Sequence, residues 1–180
     1  MTRMRQIIYC SLIAMIVFYP LVSLMGTSSS QYYYHAYAQA TDSRNDTLLS
    51  IDGIECAKTE QFAFHIHTQL NITINNQSYP IPAGVGIIPN NCIYWLHTHD
   101  DSGVIHIESP IEKEFTLGQF LQIWNKFNSS DALVQNLTDN SINGSLLAFV
   151  DDAQIDTNNT DYRNLALIDQ SKLSFRIFQR

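Results

Sequence analysis

Three short stretches hold the residues of this 180-residue chain best suited to chemistry. FHIHTQL carries His65 and His67, WLHTHDD carries His97 and His99, and VIHIE carries His106 and Glu108. Five of the six histidines therefore lie in His-x-His or His-x-Glu units. The sixth, His35, stands in an unpatterned stretch and has no assigned role. A neutral imidazole ligates a divalent ion through one ring nitrogen, and a strand turns residues i and i+2 to the same face. His-x-His on a strand thus aims two ligands one way. Together the units predict a metal site drawn from His65, His67, His97, His99 and His106. Glu108 or Asp100 would serve as a fourth ligand, and Asp100, Asp101 and Glu108 are the carboxylates that would stand behind the ligands or act as acid or base. The competing reading is a set of surface or partly buried histidines that hydrogen-bond their neighbours.

The segments that must position these groups have the alternation of strands. In residues 62–75, Phe62, Phe64, Ile66, Leu70, Ile72 and Ile74 face one way, with His65, His67, Gln69 and Asn71 opposite. NNQS turns this strand back into SYPIPAGVGII, where Pro80 and Pro82 mark an edge strand. Residues 92–99 and 104–108 read as a hairpin around DDSG. With a loop over Asp100–Gly103, His97 faces His106 and His99 faces Val104. Trp95, His97, His99, His106 and Glu108 then share a face, while Tyr94, Leu96, Thr98, Ile105 and Ile107 form the core side. How residues 62–75 pair with this hairpin is left open by the sequence.

Downstream, Thr116 and Gln119 form a capping box ahead of an amphipathic helix with Leu117, Phe120, Leu121 and Trp124 on its buried stripe. Residues 128–145 read as a polar loop, and LLAFVDD, NLALID and KLSFRIF as late strands. The expected fold is α+β: a β-rich domain of order ββββ-α-βββ, a sheet or sandwich covered by one helix.

The N-terminus sets the compartment. Arg3 and Arg5 precede an apolar run over residues 7–25, and AYAQA closes the segment at residue 40. This is the order of a secretory signal, yet the 19-residue run is long enough to span a bilayer. Residues 1–40 are therefore expected to be a signal peptide or an N-terminal membrane anchor, 41–53 a linker, and 54–180 one histidine-containing domain that lies outside the cell or on its surface. Residues 41–180 hold 8 basic and 17 acidic side chains, a net of −9, with no basic run, which excludes nucleic acid as a partner. Asn-x-Ser/Thr occurs at Asn45, Asn71, Asn76, Asn128, Asn136, Asn143 and Asn158, against roughly two expected by chance from the composition. These are candidate glycosylation sites, and they fit export. Cys10 lies in the apolar run. Cys56 and Cys92 form an even pair in an oxidising compartment and are expected to be bridged.

The metal follows from ligand chemistry. Met1, Met4, Met15 and Met25 all fall in the N-terminal segment, so the domain offers no thioether. Imidazole with carboxylate suits Zn²⁺ or Cu²⁺, less often Fe²⁺ or Ni²⁺, and disfavours Cu(I). No Gly-rich phosphate loop, Ser–His–Asp order or redox CxxC is present, and no organic cofactor is implied.

HIHTQL, IPAGVGI, CIYWLHTHDDSGVIHIESP and FTLGQFLQIW, in that order within residues 54–124, resemble an uncharacterised exported domain of ammonia-oxidising archaea and some bacteria. The resemblance extends to GIEC and both cysteines. It implies export and the histidine set, and no mechanism. HTHD is also similar to the His-x-His of JAMM metalloproteases. Those need a later Asp, and after Asp101 the next here is Asp131, so that match is rejected.

Three functions follow in order. The first is an exported module that sequesters or delivers Zn²⁺ or Cu²⁺. The second is a metal-dependent enzyme with an open coordination position. The third is a glycosylated envelope or adhesion domain whose histidines hold no metal. A closed four-ligand site favours the first, and three ligands plus water the second.

Overall fold

The computed structural model describes residues 50–179. The signal or anchor segment, residues 41–49 of the linker, Cys10, His35 and Asn45 lie outside the described residues. From the N-terminal side the elements are β1 (Cys56–Ala57), β2 (Phe64–Ile74), β3 (Gln77–Tyr79), β4 (Ile87–Ile88), β5 (Cys92–Tyr94), β6 (Leu96–His97) and β7 (Val104–Ser109). Then come α1 (Leu117–Phe127), α2 (Ala132–Thr138), β8 (Gly144–Val150), β9 (Ala153–Ile155), a 3-10 turn at Tyr162–Asn164, and β10 (Lys172–Gln179). The mixed α+β class is as the sequence leads one to expect. Among the described residues, no helix is long and apolar enough to cross a membrane.

β2 organises the larger sheet, whose order is β6-β7-β2-β10-β8-β9, with β3 also on β2. Its N-terminal half pairs antiparallel with β7 and its C-terminal half with β3, while β10 runs parallel to it on the other side. The β2–β3 turn is Asn75-Asn76, both at positive φ, as a two-residue hairpin loop requires. Gly103 shows why the β7 hairpin needs a glycine. Its carbonyl accepts from the Leu70 N–H at 2.9 Å, its φ is +81°, and a Cβ there would lie 2.4 Å from the Leu70 oxygen.

The alternation of β2 puts Leu70 and Ile72 into the core, together with Ile105, Ile107, Leu173, Phe175 and Ile177. α1 adds Leu117, Phe120, Leu121, Ile123 and Trp124 to the same apolar cluster. Its capping box is formed as expected, with the Thr116 hydroxyl accepting from the Gln119 N–H and the Gln119 side chain accepting from the Thr116 N–H. The helical face is thus one side of the sheet, and the histidines occupy the other.

Several local expectations are corrected. Residues 128–145 are not all loop. Asp131 caps α2 by accepting from Leu133 and Val134, and Leu133, Val134 and Leu137 are buried at helical spacing. NLALID forms no strand. It follows the 3-10 turn and makes a single bridge, Thr116–Ala166. β9 was not anticipated: Asp151 and Asp152, both at positive φ, close a tight hairpin with β8. Phe62 lies outside β2 and is 63% exposed rather than packed in the core.

The largest departure is at Trp95. The expected single strand over 92–99 breaks there into β5 and β6, which belong to different sheets. The Trp95 N–H donates to Glu55 beside the small sheet, and its carbonyl accepts from Glu108 in the large one. The small sheet, of order β1-β5-β4, is tied by the Cys56–Cys92 disulfide, whose Cα atoms lie 5.4 Å apart. SYPIPAGVGII is correspondingly not one edge strand. It gives β3, then turns, then β4.

Candidate metal centre

The ladder places the chemistry. His97 lies opposite His106, as expected, and His106 lies opposite His67 on its other side. His65 opposes Glu108. Three imidazoles therefore stand in a row across β6, β7 and β2, with His65 and Glu108 two residues along. Directly opposed Cβ atoms lie about 4.5–5.5 Å apart, so imidazoles pointing off the same face must meet. They do. The His97 and His106 rings stack with centroids 5.5 Å apart and planes 14° from parallel.

His99 reaches the group by a different route from that expected. β6 ends at His97, and Thr98 bonds instead to the chain at 84–85, its N–H donating to Val85 and its carbonyl accepting from Gly84. His99 consequently sits in a bend and does not pair with Val104. Its Nε2 still lies 3.2 Å from His97 Nε2.

The donor atoms converge. His65 Nε2 and His67 Nε2 are 3.1 Å apart, as are His67 Nε2 and His106 Nδ1. Glu108 Oε1 lies 3.2 Å from His65 Nε2, 3.6 Å from His106 Nδ1 and 4.0 Å from His97 Nε2. The edge of a tetrahedron with Zn–N bonds of about 2.0–2.1 Å is about 3.3–3.4 Å. The nitrogen spacings are close to that edge. Two groups result: His97, His99, His106 and Glu108, and His65, His67 and His106. Within each, the ligand atoms lie within 4.8 Å of one another.

The surroundings favour the neutral, ligating form of three imidazoles, His67, His97 and His106. His97 Nδ1 donates to the Tyr94 carbonyl at 2.9 Å, which fixes the tautomer and leaves the Nε2 lone pair facing the cluster. Burial pushes His97 down to about 4, against the opposing pull of that carbonyl. Burial, then the neighbouring imidazoles His99, His67 and His65, push His106 down to about 4 as well. His67 is lowered by burial and by His65, with the Asp169 carboxylate acting in the opposite direction. Glu108 is raised by burial and by the negative charge of Glu60. Its Oε1 faces the imidazoles, while its Oε2 is buried with no hydrogen-bond partner, an orphaned acceptor.

Two carboxylates near the cluster were not anticipated. Glu60 Oε1 lies 3.5 Å from His99 Nε2, and Asp169 Oδ1 accepts from the His67 backbone N–H at 3.1 Å. Glu60 belongs to a segment without periodicity, and Asp169 to the misread NLALID, so neither gave a signal. Asp100 and Asp101, expected near the metal, join neither group. Asp100 instead accepts from the Ser102 N–H and braces its own turn.

The chain matches no protein-family model, no curated protein and no solved structure. The fold and site define an α+β domain with an imidazole-rich ligand cluster on the polar face of its sheet. Any functional reading has to come from that cluster.

Proposed function

We propose that this protein is an exported metal-binding domain that holds Zn²⁺ or Cu²⁺ for sequestration or delivery outside the cell. One observation carries the reading: three imidazoles and one carboxylate, His97, His99, His106 and Glu108, bring four donor atoms within 4.8 Å of one another, a set that small side-chain adjustments can close around one ion. Four protein donors make a closed site, which binds rather than turns over. Burial keeps His97 and His106 neutral, so protons compete weakly for their lone pairs near pH 7. Borderline nitrogen and oxygen donors fit Zn²⁺ or Cu²⁺. The net charge of residues 41–180 is negative and suits attraction of cations.

Export is supported by the signal-like N-terminus, by the Cys56–Cys92 bridge, and by the sequons. Of the seven, the six at Asn71, Asn76, Asn128, Asn136, Asn143 and Asn158 are described, and none is a buried residue. The resemblance to the exported archaeal and bacterial domain points the same way. A second reading, a metal-dependent enzyme, draws on the three-imidazole group of His65, His67 and His106, which would leave a coordination position open.

Elemental analysis of the exported protein, purified without a metal-affinity tag, tests the proposal. One equivalent of zinc or copper is expected. The double substitution His97→Ala, His106→Ala should lower affinity at least about tenfold, or 1.4 kcal/mol. Affinity unchanged in that variant would refute the site.

A further inference from the structure

The six donors are more than one tetrahedral ion can take, and they do not merge into a single group. Two ligands of one ion with bonds of about 2.1 Å lie at most about 4.2 Å apart. The groups nevertheless share His106, and a neutral imidazole has only one nitrogen with a free lone pair. His106 Nδ1 faces both groups, 3.1 Å from His67 Nε2 and 3.6 Å from Glu108 Oε1. It can complete one set at a time.

We propose that the cluster offers a single ion two alternative seats: a holding seat of His97, His99, His106 and Glu108, and a transfer seat of His65, His67 and His106. This rests on the metal-binding reading above. The seats differ in strength. The holding seat has four donors, one of them anionic. Its His97 is 0% exposed and anchored through Nδ1. The transfer seat has three neutral donors, and its His65 side chain is 34% exposed. Three ligands leave a position for a group supplied by a partner or by water.

The seats touch, so ligands can be exchanged one at a time. His65 Nε2 lies 3.2 Å from Glu108 Oε1, and His67 Nε2 is as close to His106 Nδ1. An ion can move between the seats with His106 bound throughout. No bond to carbon is made or broken, and no electron moves. The other exposed end of the holding seat, His99, is paired with Glu60 at 3.5 Å. An ion entering there must first displace that contact. His65 is likewise exposed, and paired with Glu108 at 3.2 Å, so what sets the proposed route past His65 and His67 is the free coordination position of their seat.

The test uses the full-length chain, Zn²⁺ and a chromophoric chelator, with loading and release followed by stopped flow. One Zn²⁺ per chain is expected. In His65→Ala/His67→Ala, Kd should change less than about threefold, while loading and chelator-driven release both slow at least about tenfold. His97→Ala/His99→Ala should lower affinity at least about a hundredfold. The gentler pair His65→Gln/His67→Gln should give the same kinetic result, and serves if the alanine pair folds poorly. Equal slowing of both rates at constant Kd marks groups on the path, which a merely structural role would not produce. Two Zn²⁺ ions of similar affinity would overturn the proposal. So would unchanged rates, or an affinity loss in the His65/His67 variants as large as in the His97/His99 variant. Absence of zinc binding by the wild-type chain would instead sink the metal-binding reading itself.

Discussion

Replacing Glu108 with Gln should strengthen the metal-free protein while weakening its hold on zinc. Glu108 is 3% exposed, and its Oε2 has no hydrogen-bond partner. A buried polar atom left unsatisfied costs about 1–3 kcal/mol, and more when charged. Three of the surrounding imidazoles, His67, His97 and His106, are lowered, so at pH 7.5 they supply no countercharge. Burial raises the carboxyl above its ordinary 4.5. A group raised in the folded state contributes stability in full below its unfolded value and loses it as pH rises through the folded value. The penalty on the metal-free protein therefore grows as pH rises above 4.5. Gln keeps the shape and removes the charge. Urea unfolding in EDTA should show the variant more stable by about 1 kcal/mol at pH 7.5, with the gain gone near pH 4. In a zinc competition assay, the same variant should bind at least about tenfold more weakly, having lost its anionic donor. If Glu108→Gln destabilises the metal-free protein at pH 7.5, the carboxylate is not an unpaired burden, and the argument fails.

The other expectations follow from individual contacts. His97 and His106 have folded values of about 4 against an ordinary 6.5, so the unfolded chain binds more protons in that window. The contribution of these two histidines to metal-free stability should be full above pH ~6.5 and fall as pH drops toward ~4, with His97 alone accounting for about 3 kcal/mol in denaturant titrations across that range. Cys56→Ser with Cys92→Ser opens a loop of 36 residues and should cost about 3–4 kcal/mol by urea unfolding. Gly86→Ala should reduce zinc affinity at least about tenfold, because a Cβ there would lie 2.5 Å from the Leu96 oxygen and 3.0 Å from His97 Cβ. Gly84→Ala, at a similar φ with nothing within 4 Å, should leave zinc affinity unchanged, a control that isothermal titration can read.

Much of the site was legible because period-2 alternation assigns faces without knowledge of the fold. The polar side of His65 and His67 and the apolar side of Leu96, Ile105 and Ile107 follow from it, and a loop over Asp100–Gly103 then sets His97 against His106. So does α1, whose capping box is a local signal. Lateral order is not local. Nothing in residues 62–75 indicates that β7 lies on one edge of β2 and β10 on the other, since many neighbours satisfy an alternating strand equally well. Trp95 defeats the alternation rule for a different reason. CIYWLHTH has the composition of one continuous strand, and the break appears only in how the Trp95 N–H and carbonyl divide between two sheets. α2 was lost in a run of Asn, Ser and Asp, where three apolar residues at helical spacing were outweighed by polar composition.

The break at Trp95 is also what fixes one end of the histidine row. Had residues 92–99 continued as one strand, His97 would sit on the polar face of a sheet, open to water and free to rotate. Instead the small sheet stays with Tyr94, whose carbonyl accepts from His97 Nδ1, and whose N–H donates to Gly86. The chain from Gly84 to Gly86 runs alongside β6, held by Thr98, whose hydroxyl donates to Pro82 and accepts from the Val85 N–H. A glycine at 86 lets that segment come against His97. The Cys56–Cys92 bridge secures the same small sheet, five residues before His97 in the chain. Disulfide, glycine and Thr98 thus act on one outcome: an imidazole with no exposed surface, a fixed tautomer and its lone pair turned toward Glu108 and His99. The sheet supplies the row of histidines, and the small sheet makes the imidazole at one end of that row rigid.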